Sequence, residues 1–139
     1  MGCDIHIVIE RREKGSAEWV GVWSSDCAPE GRPRIARRDY AFFAEVAQVR
    51  GEGTQPRIYP RDVPKDVSRL AWLQYMRSPT DHHSASHMTV QEFTDAWFRA
   101  NSFRPEGKDG PRKEFAASDL LGIWDDDDND FRVVFWFDN

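Results

Sequence analysis

An aspartate and a histidine stand two residues apart in the opening stretch Met1-Gly2-Cys3-Asp4-Ile5-His6-Ile7-Val8-Ile9-Glu10. In an extended chain residues i and i+2 share a face. Asp4 and His6 would then point the same way, close enough to share a proton or a metal ion. Ile5, Ile7 and Ile9 repeat on the other face with the period of a half-buried strand. Cys3 falls on the Ile5 side, away from His6.

A second cluster is Asp81-His82-His83-Ser84-Ala85-Ser86-His87. It leads into Thr89-Val90-Gln91-Glu92, a capping box in which Thr89 and Glu92 exchange side-chain bonds for each other's backbone N–H. Met88 and Phe93 are spaced for the accompanying hydrophobic staple. A helix is expected to start at Val90, with Val90, Phe93, Trp97 and Ala100 inward. Unpaired N–H groups at such an N-terminus attract anions. His83, Ser84 and Ser86 would hold a phosphate there, with Arg57 or Arg61 from the proline-rich 51–66 stretch neutralising it.

The third chemical element is Asp138. The closing run Phe131-Arg132-Val133-Val134-Phe135-Trp136-Phe137-Asp138-Asn139 is apolar on both faces, as a central strand is. Paired with the first strand, it would bring Asp138 towards Asp4 and His6. Asp4, His6 and Asp138, or His83 in its place, then form a mixed N/O set suited to Zn or Mn, and a metal-dependent phosphodiesterase or nuclease is one reading. A metal-free version needs His6 or His83 as acid–base group with Asp4 orienting it.

Other elements must position these groups. Lys14-Gly15-Ser16 is a turn signal, and Trp19–Trp23 is rich in β-formers, so an N-terminal hairpin is expected. Asp39 can cap a helix running to a stop at Gly51, with Tyr40, Phe43, Val46, Ala47 and Val49 inward and Phe42 beside them. A short helix over 67–77 would turn Leu70, Leu73 and Tyr75 or Met76 inward. Residues 115–124 are expected to form a short helix or strand. Asp125–Asp130 reads as a solvated turn; it lacks the glycine and the closing glutamate of an EF-hand. An acidic patch there could also mimic nucleic acid, which gives a third reading, an inhibitory module that binds a host protein.

Composition bounds these readings. The chain of 139 residues suits a single domain over 1–139, and 40% hydrophobic residues with six Trp and nine Phe are enough for a core. A net charge of −5 argues against a basic glove for duplex DNA. Two cysteines without CxxC spacing do not make a disulfide scaffold. Without an apolar run of membrane-spanning length or a visible signal peptide, the expectation is a cytoplasmic protein with no membrane partner. A hairpin edge open to a second copy allows a homo-oligomer.

The segments Met-Gly-Cys-Asp-Ile-His, Arg37-Arg38-Asp39-Tyr40-Ala41-Phe42-Phe43, His83-Ser84-Ala85-Ser86 and Val-Phe-Trp-Phe-Asp-Asn together resemble an uncharacterised family of small phage and prophage proteins. His87 stands where that resemblance would place an aromatic. The resemblance implies a phage setting and carries no catalytic residue. It implies an accessory role in the host bacterial cytoplasm, anti-defence or the handling of nucleic acid and nucleotides. Together with the His/Ser cluster it suggests binding a nucleotide-like immune signal, by sequestration or cleavage. The expected architecture is α+β: an antiparallel sheet of the N-terminal hairpin and the C-terminal strand, with two or three helices packed on it.

Overall fold

The computed structural model describes residues 2–27, 39–50, 59–101 and 127–138. Expectations for Gly51, Arg57, 115–124, Asp125, Asp126 and Asn139 lie outside them. The fold is α+β, with one antiparallel four-stranded sheet and three helices. The strands are β1 (Ile5–Glu13), β2 (Val20–Ser24), β3 (His83–Thr89) and β4 (Asn129–Phe137), in the order β2-β1-β4-β3. The helices are α1 (Tyr40–Ala47), α2 (Arg69–Tyr75) and α3 (Val90–Asn101).

The N-terminal hairpin and the central C-terminal strand are present as expected. β1 and β4 pair without interruption from Ile5↔Phe137 to Glu13↔Asn129. Alternation then sorts every side chain. Ile5, Ile7 and Ile9 pack with Val133, Phe135 and Phe137 against α1 and α3. Val8, Val134 and Trp136 take the other face, where Ala71 of α2 joins them. The sheet is thus covered on both sides, which explains the unbroken apolar run in β4.

Helix α3 starts where its capping box places it. The Glu92 N–H donates to Thr89 Oγ1 at 3.0 Å, and the Thr89 N–H donates to Glu92 Oε1 at 3.1 Å. Met88 and Phe93 share the core with Ala96, while Trp97 and Ala100 pack on it. Asp39 caps α1, accepting from the Phe42 N–H at 3.2 Å. This helix stops earlier than Gly51, because Gln48 takes a left-handed conformation at φ 57°. Phe42 is fully buried and Tyr40 is not, the reverse of the expected stripe. The Phe42 ring packs edge-on against Phe93 at 5.0 Å, so the α1–α3 contact chooses the inward face.

Two expectations are corrected. Residues 83–89 form an edge strand on β4, whereas the sequence places His83, Ser84 and Ser86 as a polar cluster at a helix mouth. A register shift between His83 and Ser86, with Ser84 at φ 54°, marks a bulge that bends the strand. Helix α2 is shorter than 67–77. Leu70 and Tyr75 pack on the sheet as expected, but Leu73 is exposed and Ala71 and Gln74 are buried in its stead. Leu70 sits so close to Gly21 of β2 that a Cβ there would lie 2.6 Å from its side chain.

A buried charge pins α2 further. Glu10 is fully buried on the Val8 face and accepts from Arg132 Nε, its cross-strand partner, and from the Ser68 N–H. Ser68 is the N-cap of α2, its Oγ accepting from the Ala71 N–H. Arg132 also bonds Asp66 at 2.8 Å and lies 4.1 Å from the centre of the Trp19 ring. Arg132→Ala would strand the Glu10 carboxylate without its partner. Urea unfolding should show a loss of about 3–5 kcal/mol. Arg12→Ala, which removes a more exposed pair with Asp130, should cost under about 1 kcal/mol.

Candidate functional site

The chemical residues gather at one end of the sheet, where β1 and β3 begin and β2 and β4 finish. His6 is the centre. Its Nε2 lies 2.7 Å from Asp138 Oδ2 and its Nδ1 lies 2.8 Å from Asp26 Oδ1. Carboxylates only accept, so a ring that bonds both through its two nitrogens is a protonated imidazolium. Burial acts most strongly on the ring and favours the neutral form. The bonds to Asp26 and Asp138 together outweigh it and push the His6 pKa up to about 9. In return the His6 hydrogen bond holds Asp26 below the usual carboxylate range, against the effect of its burial.

Each partner is fixed by backbone geometry. The Asp138 N–H donates to the Asp4 carbonyl at 3.1 Å, and the Asp4 N–H donates to Asp138 Oδ1 at 3.0 Å. These bonds carry the β1–β4 ladder one step past Ile5↔Phe137. Asp26 sits in a short 3-10 turn, Ser25–Cys27, after β2. Ser25 Oγ accepts from the Ile7 N–H at 2.9 Å, holding the turn to β1. Ser24 Oγ accepts from the Asp26 N–H and donates to buried Gln74 of α2.

Aromatic rings surround His6 on this face. Trp136, its cross-strand neighbour, stacks on it at 5.9 Å and 9°. His82 lies 5.2 Å from it, and Tyr75 stacks on His82 at 5.8 Å. His82 Nδ1 bonds the Tyr75 carbonyl at 2.6 Å. In the neutral ring that bond leaves the lone pair on Nε2. Beside these groups opens a cleft of about 580 Å³, lined by Asp4, His6, Asp26, Asp81, Asp138, Arg77, Ser78, His82, Gln74 and Gly2.

Asp4, His6 and Asp138 therefore share one site, as the strand pairing suggested. Their arrangement differs from a metal centre. Both His6 nitrogens hold protons on carboxylates, so the ring offers no lone pair to a metal. Among the described residues no group of three or more His, Cys, Asp or Glu side chains is placed to hold one. For the same reason His6 is not a ready general base. Cys3 faces the α1 side and is buried, and burial raises its thiol pKa.

The proposed phosphate set is not brought together. Ser86 is fully buried and accepts from the Arg61 N–H. The Arg61 guanidinium forks onto Glu92 at 2.9 and 2.7 Å and also bonds the His87 carbonyl. The Glu92 carboxylate, held at a pKa of about 2 chiefly by that Arg61 bond, already occupies the mouth of α3. His83 lies against Phe137, 6.2 Å between rings, and bonds Ser84. It is His82, not His83, that meets His6. Arg57 is outside the described residues.

Sequence reasoning missed Asp26, His82 and Arg77. Asp26 had no local pattern to mark it. His82 was visible as one of a pair, but choosing between neighbours requires the strand's facing, which the bulge decides.

The chain matches no protein-family model, no curated protein and no solved structure. Function must therefore be argued from the geometry. Among the described residues no helix is long and apolar enough to cross a membrane.

The His6 clasp has a testable pH signature. The unfolded ring titrates near 6.5 and the folded one near 9. Its stabilisation is complete below the lower value and is lost as pH rises through the upper one. Urea midpoints should fall from about pH 7 to about pH 10 by an amount worth roughly 1–2 kcal/mol, the full shift being discounted for the solvent screening of a half-buried ring. His6→Asn should flatten that slope. Asp26 adds stability that is present above the ordinary aspartate range and is lost as pH falls through its lowered pKa.

Proposed function

We propose that this protein binds a small phosphate-bearing, hydroxyl-rich ligand, a nucleotide or close analogue, in the cleft beside His6. One observation carries the reading. Arg77, an exposed residue, lines that cleft; its side chain makes no hydrogen bond with the described residues, and its charge also acts on Asp26. Such a group is suited to a phosphate, which it can grip with two donors. Ser78 and His82 also line the cleft.

The rest of the lining is rich in acceptors. Asp4, Asp26, Asp81 and Asp138 bring four carboxylates against the two cations His6 and Arg77. Carboxylates accept from the hydroxyls of a sugar and repel a polyanion. The combination fits one phosphodiester or monoester next to a ribose, and it disfavours a triphosphate. Arg77 thus takes the part expected of Arg57, Arg61 and His83, while His82, with its Nδ1–H on the Tyr75 carbonyl, can only accept from a ligand hydroxyl.

Sequestration accords with this chemistry better than cleavage. His6 is locked between two carboxylates, and no activated nucleophile stands in the cleft among the described residues. The resemblance to phage proteins gives the reading a setting, in which an accessory protein withdraws a nucleotide signal from host defence.

Calorimetry against AMP, GMP, their 3′,5′-cyclic forms, cyclic dinucleotides and ATP tests it. Binding should favour ligands with one or two phosphates over ATP, and chelation should leave it unchanged. Arg77→Ala should weaken it about tenfold to a hundredfold, the weight of a charge-assisted hydrogen bond. It should leave the melting temperature unaltered, because the side chain is exposed. Ligand released by heating should chromatograph intact; new products would replace sequestration by catalysis. Failure of the whole panel to bind would overturn the reading.

A further inference from the structure

A second cleft, of about 440 Å³, opens on the other side of α2. Its size falls within the range of small-molecule sites. Val63, Pro64 and Val67 give it one apolar wall, and Trp72 and Tyr75 give it an aromatic one. The two rings lie 6.3 Å apart, inclined by 40°. Trp72 remains 45% exposed, although α2 had the buried side of the sheet available to it. Two exposed residues of opposite charge, Lys65 and Asp62, complete the lining.

The two clefts are neighbours. Tyr75 lines the second and stacks on His82, which lines the first. One pair of rings separates them. Helix α2 and the turn after it serve both, with Trp72 and Tyr75 on one side and Gln74, Arg77 and Ser78 on the other.

We propose that the second cleft is an aromatic subsite, in which the heterocyclic base of the same phosphate-bearing ligand stacks on Trp72. The inference rests on the nucleotide reading above and adds the base as a recognised part. An indole face with an apolar wall opposite suits a flat ring, because stacking tolerates any base and needs no fixed donor pattern. Lys65 and Asp62 give the lining one charge of each sign, so the aromatic face and the neighbouring first cleft, and not net charge, select the occupant.

Three probes separate this inference from the reading beneath it. Ribose 5-phosphate carries the phosphate and sugar alone; AMP and cyclic di-AMP add one and two bases. Titration calorimetry should show at least one of the base-bearing probes binding more tightly than ribose 5-phosphate. Trp72→Ala should remove about tenfold of that probe's affinity and leave ribose 5-phosphate unchanged. Trp72→Phe should keep most of it. The exposed position should leave the melting temperature of both variants close to that of the parent. Unchanged nucleotide affinity in Trp72→Ala, or equal affinity for ribose 5-phosphate and both nucleotides, would overturn the subsite and leave the first cleft standing. No binding by any of the three would overturn both.

Discussion

The strand β4 is buried on both faces, and that constraint governs the rest of the molecule. Val133 through Phe137 have almost no exposure, so both sides of the sheet must be covered. One side takes α1 and α3, which are joined to each other by the Phe42–Phe93 contact and by an Arg99–Glu45 ion pair at 2.6 Å. The other takes α2. With β4 central and β1 paired to it in a single register, parity decides which residues face α1 and α3 and which face α2.

The β1 face beneath α2 shows how parity distributes charge. His6, Val8 and Glu10 follow one another along it. Val8 is plain core. Glu10 is fully buried, and it is answered by Arg132 across the strand and by the backbone N–H of Ser68. His6 is answered by Asp26 and Asp138. Two buried or half-buried ionised groups of opposite sign thus flank one valine, each with its own counter-charges. Unpaired, either would oppose folding strongly. The inner pair fastens α2. The outer trio ties the ends of three strands together and shapes the cleft.

The parts of this fold that were legible in the sequence are those written locally. Alternation marked Ile5, Ile7 and Ile9, and the Thr89–Glu92 box marked the start of α3. The two-faced apolar run marked β4, and its pairing with β1 placed Asp138 near His6. What stayed hidden was set by tertiary contact. His83–Thr89 has few β-formers and becomes a strand because β4 offers it an edge. Leu73 repeats with Leu70 as a core residue would, but Ala71 and Gln74 take the inward face beside Leu70 and leave Leu73 exposed. Asp26 is separated from His6 by 20 residues and by a hairpin, so its role follows from the position of β2 alone. The phosphate set failed for a related reason. Arg61 had a nearer carboxylate than any ligand's, in Glu92.

The β1–β4 ladder also orders events in time. Its partners are more than a hundred positions apart in the chain, and contacts of that separation form late because a long loop must close first. During synthesis β1 emerges early, with its Ile face and Glu10 lacking the strand that will satisfy them. It can only wait, or pair provisionally with β2, until residues 129–138 are made. The cleft beside His6 takes one of its carboxylates, Asp138, from that later segment, so the cleft is complete only once the ladder has closed.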